Sequence, residues 1–136
     1  MKKIVLLGDS IRLWGYGTRV PEMLGEGYGV SQPEDNCRFV KYTLRGLFDW
    51  HDIIKDADVI HWNNGLWDCT EIFDDGLFTS EEEYVENTSS FASSARPLTS
   101  PRSNNLLMSS SSGTRSESIT STFCPHSANI TSNCSA

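Results

Sequence analysis

An α/β fold built on a parallel sheet, cut short and followed by a disordered serine-rich tail, is what the sequence predicts. Three observations carry that expectation. Short apolar runs bounded by turn residues alternate with helical stretches, which is the pattern of strands joined by crossover helices. The first run, Lys3 to Gly8, is continuously Leu- and β-branched-rich, as a strand buried on both faces should be. The composition then changes sharply after Thr88.

The elements follow in order. Lys3–Gly8 ends at the turn signal Gly8-Asp9-Ser10 and reads as the first strand. Ser10 or a near neighbour starts a helix that includes Val20, Met23 and Leu24, with Pro21 able to restart or kink it. Gly25, Gly27 and Gly29 break that helix, and Tyr28–Ser31 forms a second short strand ended by Pro33. Val40–Trp50 is helical, with Leu44, Leu47 and Phe48 on one face. Asp56–Trp62 gives a third strand after an acidic turn. Thr79 or Ser80 then caps a helix whose first turn holds Glu81, Glu82 and Glu83, where carboxylates complement the helix dipole.

Residues 1–88 and 89–136 differ in kind. The first part holds 8 Lys+Arg against 17 Asp+Glu, the second 3 Arg against one Glu. Serine occurs three times in the first part and sixteen times in the second, and every Trp and Tyr lies in the first. Ser109 to Ser112 form an unbroken run, and Pro97, Pro101 and Gly113 interrupt what little pattern exists. Such a segment buries too little apolar surface to offset its ordering entropy, so a tail is expected from residue 89. The helix beginning at Ser80 then reads as cut off at Thr88 with no further strands. A shifted reading frame or a mis-assembled gene would leave that signature.

Charge and hydropathy narrow the function. A formal net charge of -7 argues against a nucleic-acid partner, because phosphate binding needs a basic face. No apolar run approaches the length of a membrane span. The run after Lys2-Lys3 is too short for a signal peptide, so the cytoplasm is the expected compartment. Cys37, Cys69, Cys124 and Cys134 show neither a Cys-x-x-Cys pair nor zinc-finger spacing and are expected to be reduced thiols. The sequons at Asn87, Asn129 and Asn133 carry no meaning for a cytoplasmic chain.

Three segments could carry chemistry, each beyond a predicted strand end, where ligands bind in a parallel α/β sheet. In Gly8-Asp9-Ser10, the serine sits at a strand-to-helix turn and suits a nucleophile, or is simply a helix N-cap. In His61-Trp62-Asn63-Asn64-Gly65-Leu66-Trp67-Asp68, an Asn amide could donate to a developing oxyanion, or Asn64-Gly65 is simply a tight turn. Trp62 and Trp67 read as packing residues, with a pocket wall as the other option. Asn36 to Thr43 leads a loop into a helix.

Together these segments resemble motif blocks of the SGNH/GDSL hydrolases. Leu6-Leu7-Gly8-Asp9-Ser10-Ile11 resembles the first block, and Val59 to Asp68 the third, usually written Gly-x-Asn-Asp. With Asn36 to Leu47, the stretch is similar to a bacterial branch with a Trp-Asn-Asn-Gly-Leu-Trp-Asp loop. The resemblance covers about residues 3–88. It implies a three-layer flavodoxin-like sheet and a cofactor-free serine ester hydrolase with no metal. Ser10 would be the nucleophile and Asn64 an oxyanion-hole donor, and the substrates small acyl or carbohydrate esters. The family's second block offers a glycine N–H; Lys41 falls there, leaving its backbone N–H as the donor, while Gly46 lies too far along the helix. Gly65 stands where the third block commonly has Asp.

The fifth block, Asp-x-x-His near the C-terminus, is not found. The late His126 is preceded by Phe123 where Asp should stand, and the only acidic residue after 86 is Glu117. His51 and His61 read as structural or exposed. Losing triad members costs about 10⁴–10⁶ in rate, so the chain as written is expected to be inactive or nearly so. The competing reading is a non-catalytic anion- or ligand-binding α/β domain, holding an anion at the helix after the first strand. Gly15-Tyr16-Gly17 lacks the third glycine of a nucleotide loop. Oligomeric state, acyl group and alcohol are not encoded in any motif.

Overall fold

Strand β1 spans Lys2–Gly8 in the computed structural model, which describes residues 1–100 and the backbone of residues 105–108. It is flanked by β2 (Tyr28–Ser31) and β3 (Val59–Asn63), and β3 is flanked in turn by β4 (Asn105–Met108). All pairings are parallel, in the order β2-β1-β3-β4. The register sets Lys2 opposite Tyr28, Gly8 opposite Asn63 and Trp62 opposite Met108. The chain is therefore an α/β protein with a parallel sheet, and β1 and β3 are interior strands. Their apolar sequences fit that position.

The helices are α1 (Val20–Leu24), α2 (Val40–Asp49), α3 (His51–Ile54) and α4 (Glu81–Ala95). The single helix expected from Ser10 to Leu24 is instead three short pieces. A π-helical turn, Ile11–Gly15, and a 3₁₀ turn, Tyr16–Thr18, precede α1. Gly15 breaks the path with φ -103° and ψ -106°, outside the helical region. Pro21 sits in the first turn of α1, where its missing N–H does no harm.

One face of the sheet holds the core. Val5 and Leu7 of β1 and Ile60 and Trp62 of β3 pack against Val40, Leu47, Ile54, Phe91 and Ala95 from the helices. The Trp62 and Phe91 rings stack with centroids 3.9 Å apart. Phe48 does not join Leu47 on the buried face of α2, as the sequence suggested. It is 75% exposed, beneath the Arg45 guanidinium at 5.1 Å. Ser80 caps α4 as expected, its Oγ accepting the Glu83 N–H at 3.2 Å.

The helix does not stop at Thr88. It runs through the change in composition to Ala95, and a fourth strand follows at Asn105–Met108. The reason is a helical stripe of Tyr84, Thr88, Phe91 and Ala95, all buried. Beyond Thr88, one aromatic ring, Phe91, and the small Ala92 and Ala95 suffice to seat it. The expected tail from residue 89 is thus corrected for residues 89–100 and 105–108. The Ser109–Ser112 run, Glu117, Phe123, Cys124, His126, Asn129, Asn133 and Cys134 lie outside the described residues. Among the described residues, no helix is long and apolar enough to cross a membrane.

Candidate functional site

The carboxyl end of β1 is built by close approach. A Cβ at Gly8 would stand 2.8 Å from the Asn63 carbonyl oxygen and 2.9 Å from the Arg12 Cβ, so only glycine fits. The next turn is made by Asp9, which is fully buried and whose Oδ1 accepts the Ile11 N–H at 2.9 Å. Ser10 has helical angles, φ -60° and ψ -28°, and makes no side-chain cap. The N-cap alternative is therefore not realised: Asp9 takes that local role, and the half-buried Ser10 hydroxyl remains uncommitted among the described residues. Burial pushes the Asp9 carboxyl up, against the pull of the Ile11 N–H and Arg12. Its Oδ2 is buried with no partner among the described residues.

Arg12 went unnoticed in the sequence. It is fully buried, yet its partners are carbonyl oxygens and the Cys37 sulfur, 3.6 Å away, rather than a carboxylate. It donates to Gly8 O at 3.1 and 3.3 Å, Pro33 O at 2.7 Å, Gln32 Oε1 at 3.2 Å and Asp35 O. These bonds tie the Ser10 turn to the loop that leads into α2. A lone arginine in the otherwise apolar and glycine-rich stretch after Ser10 was the available signal.

Asn64 lies just past β3 and is 7% exposed. Trp62 Nε1 donates to its Oδ1, and the Thr43 hydroxyl lies 2.8 Å from the same oxygen. An indole N–H can only donate, so Oδ1 must face Trp62, which fixes the amide's orientation. Nδ2 then points at the Arg38 and Cys37 carbonyls. Both amide hydrogens are spent on the loop before α2. Asn64 directly follows the last residue of β3, and its N–H groups hold protein backbone rather than facing an open pocket. Gly65 follows with φ +127°, a backbone shape that excludes most side chains.

Asp68 closes the same loop and is 1% exposed. Its carboxylate accepts the Val40 N–H at 3.1 and 3.3 Å and the Thr79 hydroxyl at 3.0 Å. Phe39, at the N-cap of α2, has no side-chain acceptor, and Asp68 supplies one from across the fold. Burial raises the Asp68 carboxyl, partly offset by those bonds. Lys41 is the second residue of α2, where backbone N–H groups have no partner inside the helix. Its exposed side chain pairs with Glu83 at 2.7 Å, which raises the Lys41 ammonium. Gly46 is buried mid-helix against Trp50 and offers no N–H to a ligand.

Neither described histidine bonds to Ser10. His61 is opposite Leu6, below the strand end, and its Nδ1 lies 3.2 Å from the Tyr16 hydroxyl. Burial lowers the His61 imidazolium and pushes the Tyr16 phenol up to about 12, the latter against a hydrogen bond with Asn63. The sequence offered Tyr16 and Asn63 only as members of candidate segments, with no role of their own. His51 is half exposed, 3.8 Å from Asp52.

Residues 65–79 fold back on themselves. Phe78 N–H donates to Thr70 O at 2.8 Å, and Thr79 N–H to Asp68 O at 3.1 Å. Phe39, Leu66, Trp67, Thr70, Ile72 and Phe78 enclose a pocket of about 310 Å³. Trp67 is thus a pocket wall, whereas Trp62 is core. No protein-family model, curated protein or solved structure matches the chain.

Proposed function

We propose that the chain is an SGNH/GDSL-like serine ester hydrolase scaffold acting on small acyl or carbohydrate esters, with Ser10 as the nucleophile. The observation that carries this reading is the free Ser10 hydroxyl at the carboxyl end of an interior parallel strand, left uncommitted because Asp9 makes the turn. The strand order β2-β1-β3-β4 agrees with a flavodoxin-like doubly wound sheet, in which ligands bind at that edge. Ser10 Oγ would attack the ester carbonyl, the alcohol would leave, and water would release the acid from the acyl-serine. The backbone N–H groups of Ser10 and of Lys41 would hold the oxyanion. Asn64 serves as a positioning residue that fixes residues 37–40, with its own amide already engaged.

The general base is the missing part. The sequence has no Asp-x-x-His near its C-terminus; Asp58 to His61 has that spacing but runs into β3, and His61 is engaged with Tyr16. Turnover by this chain alone is therefore expected to be very low, because a serine hydroxyl keeps its proton at neutral pH. The anion-binding alternative is disfavoured by Asp9, a buried carboxyl beside the turn, and by the five-residue turn that replaces a helix there.

The test is p-nitrophenyl acetate hydrolysis by wild type and Ser10→Ala, each with and without imidazole as an added base. Equal rates without imidazole, and an excess in the wild type with it, support the reading. Equal rates in both conditions contradict Ser10 as nucleophile.

A further inference from the structure

We infer that the pocket walled by Phe39, Leu66, Trp67, Thr70, Ile72 and Phe78 takes the neutral apolar arm, alkyl or aryl, of a small ester. The ester group in that assignment rests on the hydrolase reading; the preference for a neutral apolar body does not. Its volume, about 310 Å³, suits a small ligand and corresponds to about ten water-sized groups at ~30 Å³ each. Five of the six walls are apolar or aromatic, and the Phe39 and Phe78 rings meet at 5.2 Å and 58°. The sixth wall, Thr70, spends its hydroxyl on Leu66 O at 2.9 Å. No wall residue carries a charge, and besides Thr70 the only side-chain donor among the walls is the Trp67 indole N–H.

The walls are also unusually wet for their chemistry. Ile72 is 51% exposed, Phe78 48% and Leu66 45%. A chain that leaves this much apolar surface around one concavity gains by filling it. Charge selects the occupant further. The loop carries Glu71, Asp74 and Asp75, and the sequence has no Lys or Arg from residue 56 to 95. The neighbouring cations are engaged, Arg38 over the Tyr42 ring and Lys41 with Glu83. A carboxylate or phosphate would meet a repulsive rim. The loop leaves β3 at Asn63, which pairs with Gly8, two residues before Ser10. The pocket thus belongs to the same end of the sheet as the proposed nucleophile.

The experiment is calorimetric titration of the full chain with 2-octanone and acetophenone, which resemble an ester carbonyl but cannot be hydrolysed, and with octanoate at neutral pH. Wild type, Ser10→Ala, Thr70→Phe and Ile72→Asp are compared, with circular dichroism confirming that each is folded. Thr70→Phe fills the pocket; Ile72→Asp charges its exposed rim and is the safer fold. The ketones are expected to bind wild type and Ser10→Ala alike, and to weaken at least about tenfold in both pocket variants, a loss of about 1.4 kcal/mol or more. Octanoate is expected to bind wild type at least about tenfold more weakly than 2-octanone. Absent ketone binding, binding unchanged in both pocket variants, or octanoate as tight as 2-octanone would each overturn the assignment. Failure of imidazole rescue with intact ketone binding would sink only the hydrolase reading.

Discussion

Replacing Asn64 with alanine separates a keystone from a free donor. In the structure the substitution strands the Trp62 indole N–H, on a residue only 2% exposed, and the Arg38 carbonyl that Nδ2 now serves. Each buried polar group left without a partner costs about 1–3 kcal/mol, so a loss of roughly 2–5 kcal/mol is expected. That is a large share of the ~5–15 kcal/mol that holds a domain together. An amide facing an open oxyanion pocket would behave differently, its removal shifting stability by at most about 0.5 kcal/mol. Urea unfolding decides the matter: the midpoint should fall with the slope unchanged. Asn64→Asp should rescue little, because it keeps an acceptor for Trp62 but sets a carboxylate against the Arg38 carbonyl. A loss below about 1 kcal/mol for Asn64→Ala would refute the keystone role and return the amide to the oxyanion site.

Three further outcomes follow from the packing and electrostatics. Phe91→Ala should destabilise the chain by about 3–5 kcal/mol in urea, since the ring is fully buried on Trp62. A neutral result would restore the boundary at Thr88. Thr88→Val should stabilise by up to about 1 kcal/mol, because the Thr88 hydroxyl is buried with no partner among the described residues; a destabilised variant would show that the hydroxyl is satisfied. Asp9 has a folded pKa above its ordinary 3.8 through burial, so the folded state holds that proton more tightly. Its ionisation therefore weakens the fold as pH rises from 3.8 through the raised value. Asp9→Asn should gain on wild type at neutral pH and lose that advantage on acidification, as read from urea midpoints at the two pH values. A constant gap would show that Asp9 does not titrate as a buried acid.

The strands were legible because their signals are local. Lys3–Gly8 and Asp56–Trp62 are runs bounded by turns; β1 starts one residue earlier and ends where expected, and β3 starts three residues later and ends one residue later. Ser80 followed by three glutamates announced a helix start that the cap bond realises. The helix end was misread because its buried stripe beyond Thr88 consists of Phe91, Ala92 and Ala95 among serines, which average out as polar. Phe48 was misplaced because a stripe of apolar residues does not say which member a neighbouring helix will cover. At the site, Ser10 and Asn64 were visible as residue types at strand ends. What they bond to was not. The direction of the Asn64 amide follows from Trp62 being a donor only, and the coupling of Arg12 to residues 32–35 spans twenty positions or more. Such long-range partners leave no local pattern in a sequence.

The most direct test of Ser10 as the nucleophile is prolonged exposure of the full chain to a fluorophosphonate, with adducts mapped by peptide mass spectrometry. The chain has 19 serines, so the distribution of label is informative even if labelling is slow. The adduct is expected on Ser10 above all others, and to vanish in Ser10→Ala with the fold intact. Label spread over the many serines, or equal label in Ser10→Ala, would contradict a reactive serine at the end of β1.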